Sequence, residues 1–196
     1  MTRPLAFHFD FISPFGYFAS LRIEDLAARH GRSVEWRPML LGVSVMKVMG
    51  LKPLLDTPLK GPYTERDVLR YAREHGLNME RRPTDPVMNP LPSARALAWV
   101  NRHRPQQAAE VVHAIYGAYW GRGLDLSTPE SLAPVVGEEI AQAAAGEEAA
   151  ALLRAEIDAA LQAGVFGSPT VLVDGEPFWG IDKFEQIDRW LTRGGW

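Results

Sequence analysis

The chain of 196 residues contains no cysteine. That excludes disulfides, thiolate metal sites and any thiol redox chemistry of the protein's own. Its five histidines, His8, His30, His75, His103 and His113, are scattered without HExxH or a comparable ligand spacing, and no bound metal is expected. Lysine and arginine form no run and the net charge is −3, which argues against nucleic acid or an anionic membrane as partner. No apolar stretch approaches the roughly 18 residues of a membrane span, and the N-terminus lacks the basic-then-apolar order of a signal peptide. GxGxxG, Walker A and GxSxG motifs are all missing, which weakens dinucleotide, nucleotide and serine-hydrolase readings. The expectation is a cytoplasmic enzyme.

What is present is a chain 46% hydrophobic, enough for a core without staples. Residues 5–11 alternate loosely and are aromatic-rich, which predicts a buried strand ending near Phe11. Ser13-Pro14 then starts a helix, with Ser as N-cap and Pro at the first position. Phe15, Phe18, Ala19, Ile23, Leu26 and Ala27 share one face of it, and Gly31 stops it. Ser33 to Arg37 reads as a second strand. From Leu41 to Ala145 helices and proline-rich connectors follow, and the four prolines between Pro83 and Pro92 predict a non-helical segment. Val112, Ile115, Tyr116, Tyr119 and Trp120 make a helical stripe read as core rather than as a ligand platform. Ser127-Thr128-Pro129-Glu130 opens another helix, and Glu147 to Ala163 forms one more, stopped by Gly164. Strands return at Ser168 to Val173 and at Glu176 to Trp179, joined by an Asp174-Gly175 turn. Asp182 is predicted to cap a final helix, with Glu185 as its capping-box partner. The order fits an α/β thioredoxin-like core (1–40 and 146–196) split by an inserted all-helical subdomain (41–145).

Three distant segments carry the chemistry: FDFISPFGYFAS from Phe9, GVFGSPT from Gly164, and FWGIDK from Phe178. A strand running straight into a helix start presents free N–H groups and a positive dipole end at Ser13. Together with KGPYTERDVLRYAREHGL, NPLPSARALAW, AYWGRGLDL and the extension to GVFGSPTVLVDGEPFWGIDKFEQI, these stretches resemble the 2-hydroxychromene-2-carboxylate isomerases. That family is related to kappa-class glutathione transferases in the DsbA-like branch of the thioredoxin superfamily. The resemblance covers nearly the whole chain, in order.

The resemblance implies that Pro169 is cis and that Ser13 stands where redox relatives carry the reactive cysteine. It implies glutathione as cofactor, its sulfur beside Ser13, its cysteinyl backbone paired with Ser168 across Pro169, and its γ-glutamyl end at Gly180, Ile181 and Asp182. Lys60 could hold a carboxylate, of glutathione or of the substrate, and Asn89 and Trp179 could line the substrate side. Tyr63 and Asp67, four apart on a helix, read as structural. Leu54, Leu55, Asp56 and Pro90 depart from the family pattern, and all fall in the expected substrate half. The implied reaction turns 2-hydroxychromene-2-carboxylate into trans-o-hydroxybenzylidenepyruvate, in an enzyme expected to be a homodimer. The alternatives are a kappa-type glutathione transferase or peroxidase, and a redox-inactive thioredoxin-fold binding protein.

The chemistry of Ser13 suits that role. Its hydroxyl is too weak an acid to act as a nucleophile without a base, but it can donate to a thiolate. Moving a thiol from pKa ~8.5 to about 6.5–7 needs roughly 2–3 kcal/mol. A charge-assisted hydrogen bond of roughly 1.5–3 kcal/mol and a helix N-terminus of roughly 0.3–2 kcal/mol together suffice.

Overall fold

The computed structural model describes residues 3–196. At its centre lies a four-stranded sheet of β1 (Leu5–Phe9), β2 (Val34–Pro38), β3 (Thr170–Val173) and β4 (Glu176–Trp179), in the order β2-β1-β3-β4. β1 runs parallel to β2 and antiparallel to β3, so it is the central partner of both halves of the chain. Leu5, Phe7 and Phe9 are fully buried, and Trp36 of β2 meets Phe7 and Phe9 edge-on. The β3–β4 hairpin turns at Asp174 and Gly175, both at positive φ (54° and 98°), as a tight two-residue turn requires.

β1 ends at Phe9, two residues before its alternating pattern does. Asp10 competes with the ladder: its carboxylate accepts from Ile12 N and its carbonyl from Ser13 N, so the chain leaves the sheet in a turn. Helix α1 (Pro14–Arg29) follows at once. Ser13 is its N-cap, Oγ accepting from Gly16 N at 3.0 Å, and Pro14 opens its first turn. Gly31 at φ +63° ends it, and Arg32 N bonds back to Ala27 O at 2.9 Å. The predicted inward face is confirmed at Phe18, Ala19, Ile23, Leu26 and Ala27, with Phe15 half-buried.

Between β2 and β3 come a π-helical turn (Gly42–Val48) and six helices: α2 (Lys60–Glu74), α3 (Leu91–His103), α4 (Ala108–Tyr116), α5 (Pro129–Val136), α6 (Glu138–Ala145) and α7 (Glu147–Gln162). α4 continues as a π-helical turn over Gly117–Gly121, and this whole stripe is buried at Tyr116, Tyr119 and Trp120. Thr128 caps α5 in a reciprocal box with Ser131. α7 packs on both α3 and β2, with Leu153 against Leu40, Ala94 and Ala98.

Two boundaries differ from the sequence reading. The proline-rich segment becomes helical at Leu91, because Pro92 lies in the first turn of α3 where its missing N–H costs nothing. Asp182 does not cap the last helix, α8 (Phe184–Arg193). A 3₁₀ turn over Ile181–Lys183 intervenes, α8 has no side-chain cap, and no box with Glu185 forms. The positive φ of Gly180 (106°) sends the chain into that turn first. Among the described residues no helix is long and apolar enough to cross a membrane.

Candidate active site

The end of β1 and the start of β3 converge on Ser13. The residue is 4% exposed. Oγ accepts from Gly16 N and donates to Ser168 O at 3.2 Å. Ser168 returns the contact, its Oγ accepting from Asp10 N at 3.0 Å. The Ser168-Pro169 peptide is cis, and Pro169 O accepts from Gly180 N at 2.9 Å. Thr170 Oγ1 donates to Gly167 O at 2.7 Å and fixes the turn that precedes the proline. The structure thus brings Ser13 together with Ser168, Pro169 and Gly180, each more than 150 residues further along the chain.

Ile181 and Asp182 follow in the 3₁₀ turn. The Ile181 side chain belongs to the core, so only its backbone can face a ligand. The Asp182 carboxylate is largely exposed, pairs with Lys183, and has an oxygen 2.4 Å from where a Cβ on Gly180 would sit. Glycine is required at position 180 by its φ of 106°, whereas the exposed Asp182 side chain could swing away from a Cβ there.

The three predicted substrate-side residues are not joined to Ser13 by any hydrogen bond or ion pair among the described residues. Lys60 is exposed at the first position of α2 and forms no ion pair there. Asn89 is exposed; its Oδ1 accepts from Leu91 N at 3.1 Å, which secures the start of α3. Its backbone N donates to Ser127 Oγ at 2.9 Å. Trp179 ends β4 next to Gly180, is 53% exposed, and packs edge-on against Phe166 at 4.8 Å. Its ring also fills the space a Cβ on Gly167 would need.

Two residues of the site were not anticipated as functional. Asp10 is 1% exposed, and both its carboxylate oxygens accept backbone N–H groups, Ile12 N at 3.2 Å and Leu41 N at 2.8 Å. Burial pushes its carboxyl up to about 6, against the pull of those two hydrogen bonds. Tyr116 donates from its hydroxyl to Asp10 O at 3.0 Å, and burial and the Asp10 charge keep that hydroxyl protonated. The available signal for Asp10 was an acid inside the apolar run Phe9-Asp10-Phe11-Ile12. For Tyr116 the helical stripe predicted burial but not the direction of its hydroxyl.

His8, two residues before Asp10, titrates the opposite way. Burial and the Arg37 charge lower it to about 4. The folded state therefore binds fewer protons at His8 than the unfolded chain between pH ~4 and ~6.5, and stability from this group is lost on acidification. Asp10 is harder to ionise in the fold, so its linkage lowers stability as pH rises from about 4 to about 6. The two groups act in opposite directions over an overlapping pH range. His8→Asn removes the histidine's contribution and leaves that of Asp10. Urea midpoints of wild type minus variant should rise across pH 4–6.5; a flat difference would show that His8 is not titrating as a buried group.

A model of the DSBA-like thioredoxin domain matches residues 5–192. A 2-hydroxychromene-2-carboxylate isomerase of Sphingobium xenophagum is 30% identical over 201 residues, covering 97% of this chain and 99% of that protein. A solved 2-hydroxychromene-2-carboxylate isomerase superposes with a TM-score of 0.78 at 24% identity, over 96% of this chain and 94% of the other. The cytosolic disulfide reductase DsbM from Pseudomonas aeruginosa, solved with GSH, shares the fold at a TM-score of 0.64 and 19% identity, over 97% and 96% of the two chains. The chain belongs to the DSBA-like thioredoxin domain family, within its 2-hydroxychromene-2-carboxylate isomerase group.

Proposed function

We propose that the protein is a glutathione-dependent isomerase that converts 2-hydroxychromene-2-carboxylate to trans-o-hydroxybenzylidenepyruvate. The observation that carries the reading is the buried Ser13 hydroxyl, held at the head of α1 against the residue that precedes a cis proline. With no cysteine in the chain, the sulfur of such a site has to come from outside. The residues present fit a tripeptide thiol. Ser13 Oγ can turn its proton from Ser168 O towards a sulfur, and the N-terminal end of α1 adds positive potential. Asp182 has no helix to cap, so its carboxylate is available to an ammonium group in competition with Lys183.

Bound glutathione would supply a nucleophilic thiolate for reversible addition to the conjugated system, so that once the ring C–O bond has opened to phenol and ketone the bond made single can rotate, with the thiol regenerated. Lys60, at the positive end of α2, is the residue we assign to the substrate carboxylate, with Trp179 and Asn89 bordering the pocket. Leu41 and Tyr116 reach Asp10 from the stretch between β2 and β3. We therefore place the site where the 41–145 helices meet the thioredoxin-like part.

Calorimetry with reduced glutathione and ultraviolet monitoring of chromene isomerisation, with and without the tripeptide, test this directly. Binding heat and catalysis that requires but does not consume glutathione are expected. Stoichiometric loss of the thiol would make the protein a transferase, and absence of binding heat would remove the reading. Asp182→Asn should weaken glutathione up to about 5-fold, the worth of one exposed ion pair of ~1 kcal/mol, and leave turnover at saturating tripeptide unchanged. An unaltered Kd would take Asp182 out of the site.

A further inference from the structure

We propose that Asp10 is a positioning residue of this site, its carboxylate holding Ser13 and the segment that follows β2 in one fixed relation through two backbone N–H groups. The inference rests on the reading of Ser13 as the residue that meets the sulfur. Asp10 Oδ1 accepts from Ile12 N, inside the same turn that delivers Ser13, and Oδ2 accepts from Leu41 N. Leu41 is the residue from which the π-helical turn Gly42–Val48 starts. Beyond it the chain exposes Met46, Val48, Leu51, Leu54 and Leu59 before Lys60. One carboxylate therefore ties the sulfur-binding turn to the root of an apolar strap that leads to the proposed substrate-side lysine.

The placement is costly, which argues for a purpose at the site rather than in the core. Among the described residues no cation pairs with Asp10. The groups that feel its charge are Tyr116 from α4 and Tyr119 from the π turn, both kept protonated by burial, while Ser168 Oγ bonds only its backbone N–H. His8 on β1 is the nearest group along the strand that titrates, and it is neutral above pH ~4. A buried carboxylate compensated only by two N–H groups stays partly uncompensated. What it gains is geometry: an amide in its place could accept from only one of the two N–H groups and would turn its own NH₂ against the other.

The charge and the geometry predict opposite signs in one measurement. A carboxylate close to a thiolate disfavours it through space, so Asp10→Asn acting by charge alone would make the bound thiol more acidic. Acting through Ser13, the same change loosens the turn and makes the thiol less acidic. Titration of thiolate ultraviolet absorbance for glutathione bound to wild type, Asp10→Asn and Ser13→Ala, with Kd by calorimetry, distinguishes them. The expected result is a rise of about one pKa unit in Asp10→Asn, the equivalent of one ordinary hydrogen bond at ~1.4 kcal/mol per unit, and a larger rise in Ser13→Ala. A shift in Ser13→Ala with Asp10→Asn at or below wild type overturns the Asp10 inference alone. Ser13→Ala titrating like wild type removes the Ser13 reading and this inference with it. Should Asp10→Asn fail to fold, Leu41→Pro decides: its φ of −59° already suits proline, and it deletes the N–H that Oδ2 accepts. The thiol pKa should rise there too, and an unchanged titration overturns the inference.

Discussion

Ser13→Ala is expected to lower turnover about 10–100-fold, the worth of a charge-assisted hydrogen bond of roughly 1.5–3 kcal/mol to the thiolate. The variant should fold, but not without cost, because Ser13 Oγ is also the N-cap acceptor for Gly16 N. Losing the cap removes about 1 kcal/mol of stability, which denaturant unfolding will show. Two further substitutions separate capping from chemistry. Ser13→Gly keeps most of the cap preference, within a few tenths of a kcal/mol, yet has no hydroxyl. Ser13→Thr keeps both the hydroxyl and the cap. If the hydroxyl serves the sulfur, Gly and Ala variants lose activity alike while only Ala loses stability, and Thr retains much of both. Turnover that tracks stability across the three would mean that Ser13 is a cap and nothing more.

The local rules of helix starts made Ser13 legible in the sequence, and the same rules misread Asp182. Ser13-Pro14 satisfies one requirement, an acceptor followed by a residue without an N–H, and the backbone offers that pair nothing else. Asp182 also resembles a cap, but Gly180 at positive φ places a 3₁₀ turn first, and α8 begins two residues later, uncapped. A glycine's φ is not written in the residues around it. The hairpin at Asp174-Gly175 was readable because that pair is common in turns with positive φ at both central residues. β1 was read two residues too long, since Phe9 and Phe11 alternate as strand residues do while Asp10 turns the chain between them. The partners of Asp10 (Leu41, Tyr116 and Ser168) are 31, 106 and 158 residues away, and no local pattern carries that information. Family resemblance supplied the pairing of Ser13 with the proline segment; residue spacing alone did not.

Gly16→Ala is the substitution expected to harm the protein most where ordinary propensity says it should help. Replacing glycine by alanine in a helix normally adds roughly 0.5–1 kcal/mol of stability. Here the new Cβ would stand 2.5 Å from Tyr116 Oη, 2.9 Å from Ser168 Oγ and 3.3 Å from Ser13 Cβ. Tyr116 is fully buried, is hydrogen-bonded to Asp10 O, and packs against Phe9, Phe11 and Tyr17, so its ring has nowhere to retreat. Overpacking of this kind costs about 1–3 kcal/mol, which reverses the propensity gain. The displaced atoms are those that set Ser13, so turnover should fall about tenfold or more, as it does when a positioned group moves by a fraction of an ångström. Tyr116→Phe removes the oxygen the methyl would strike, at the cost of one hydrogen bond of about 1 kcal/mol. The double variant should therefore be more stable than the two single effects added together, with a coupling of about 1 kcal/mol or more. Strict additivity in that cycle would mean that Gly16 is not required for the close approach of α1 to Tyr116, and that helix and tyrosine reach the Ser13 turn independently.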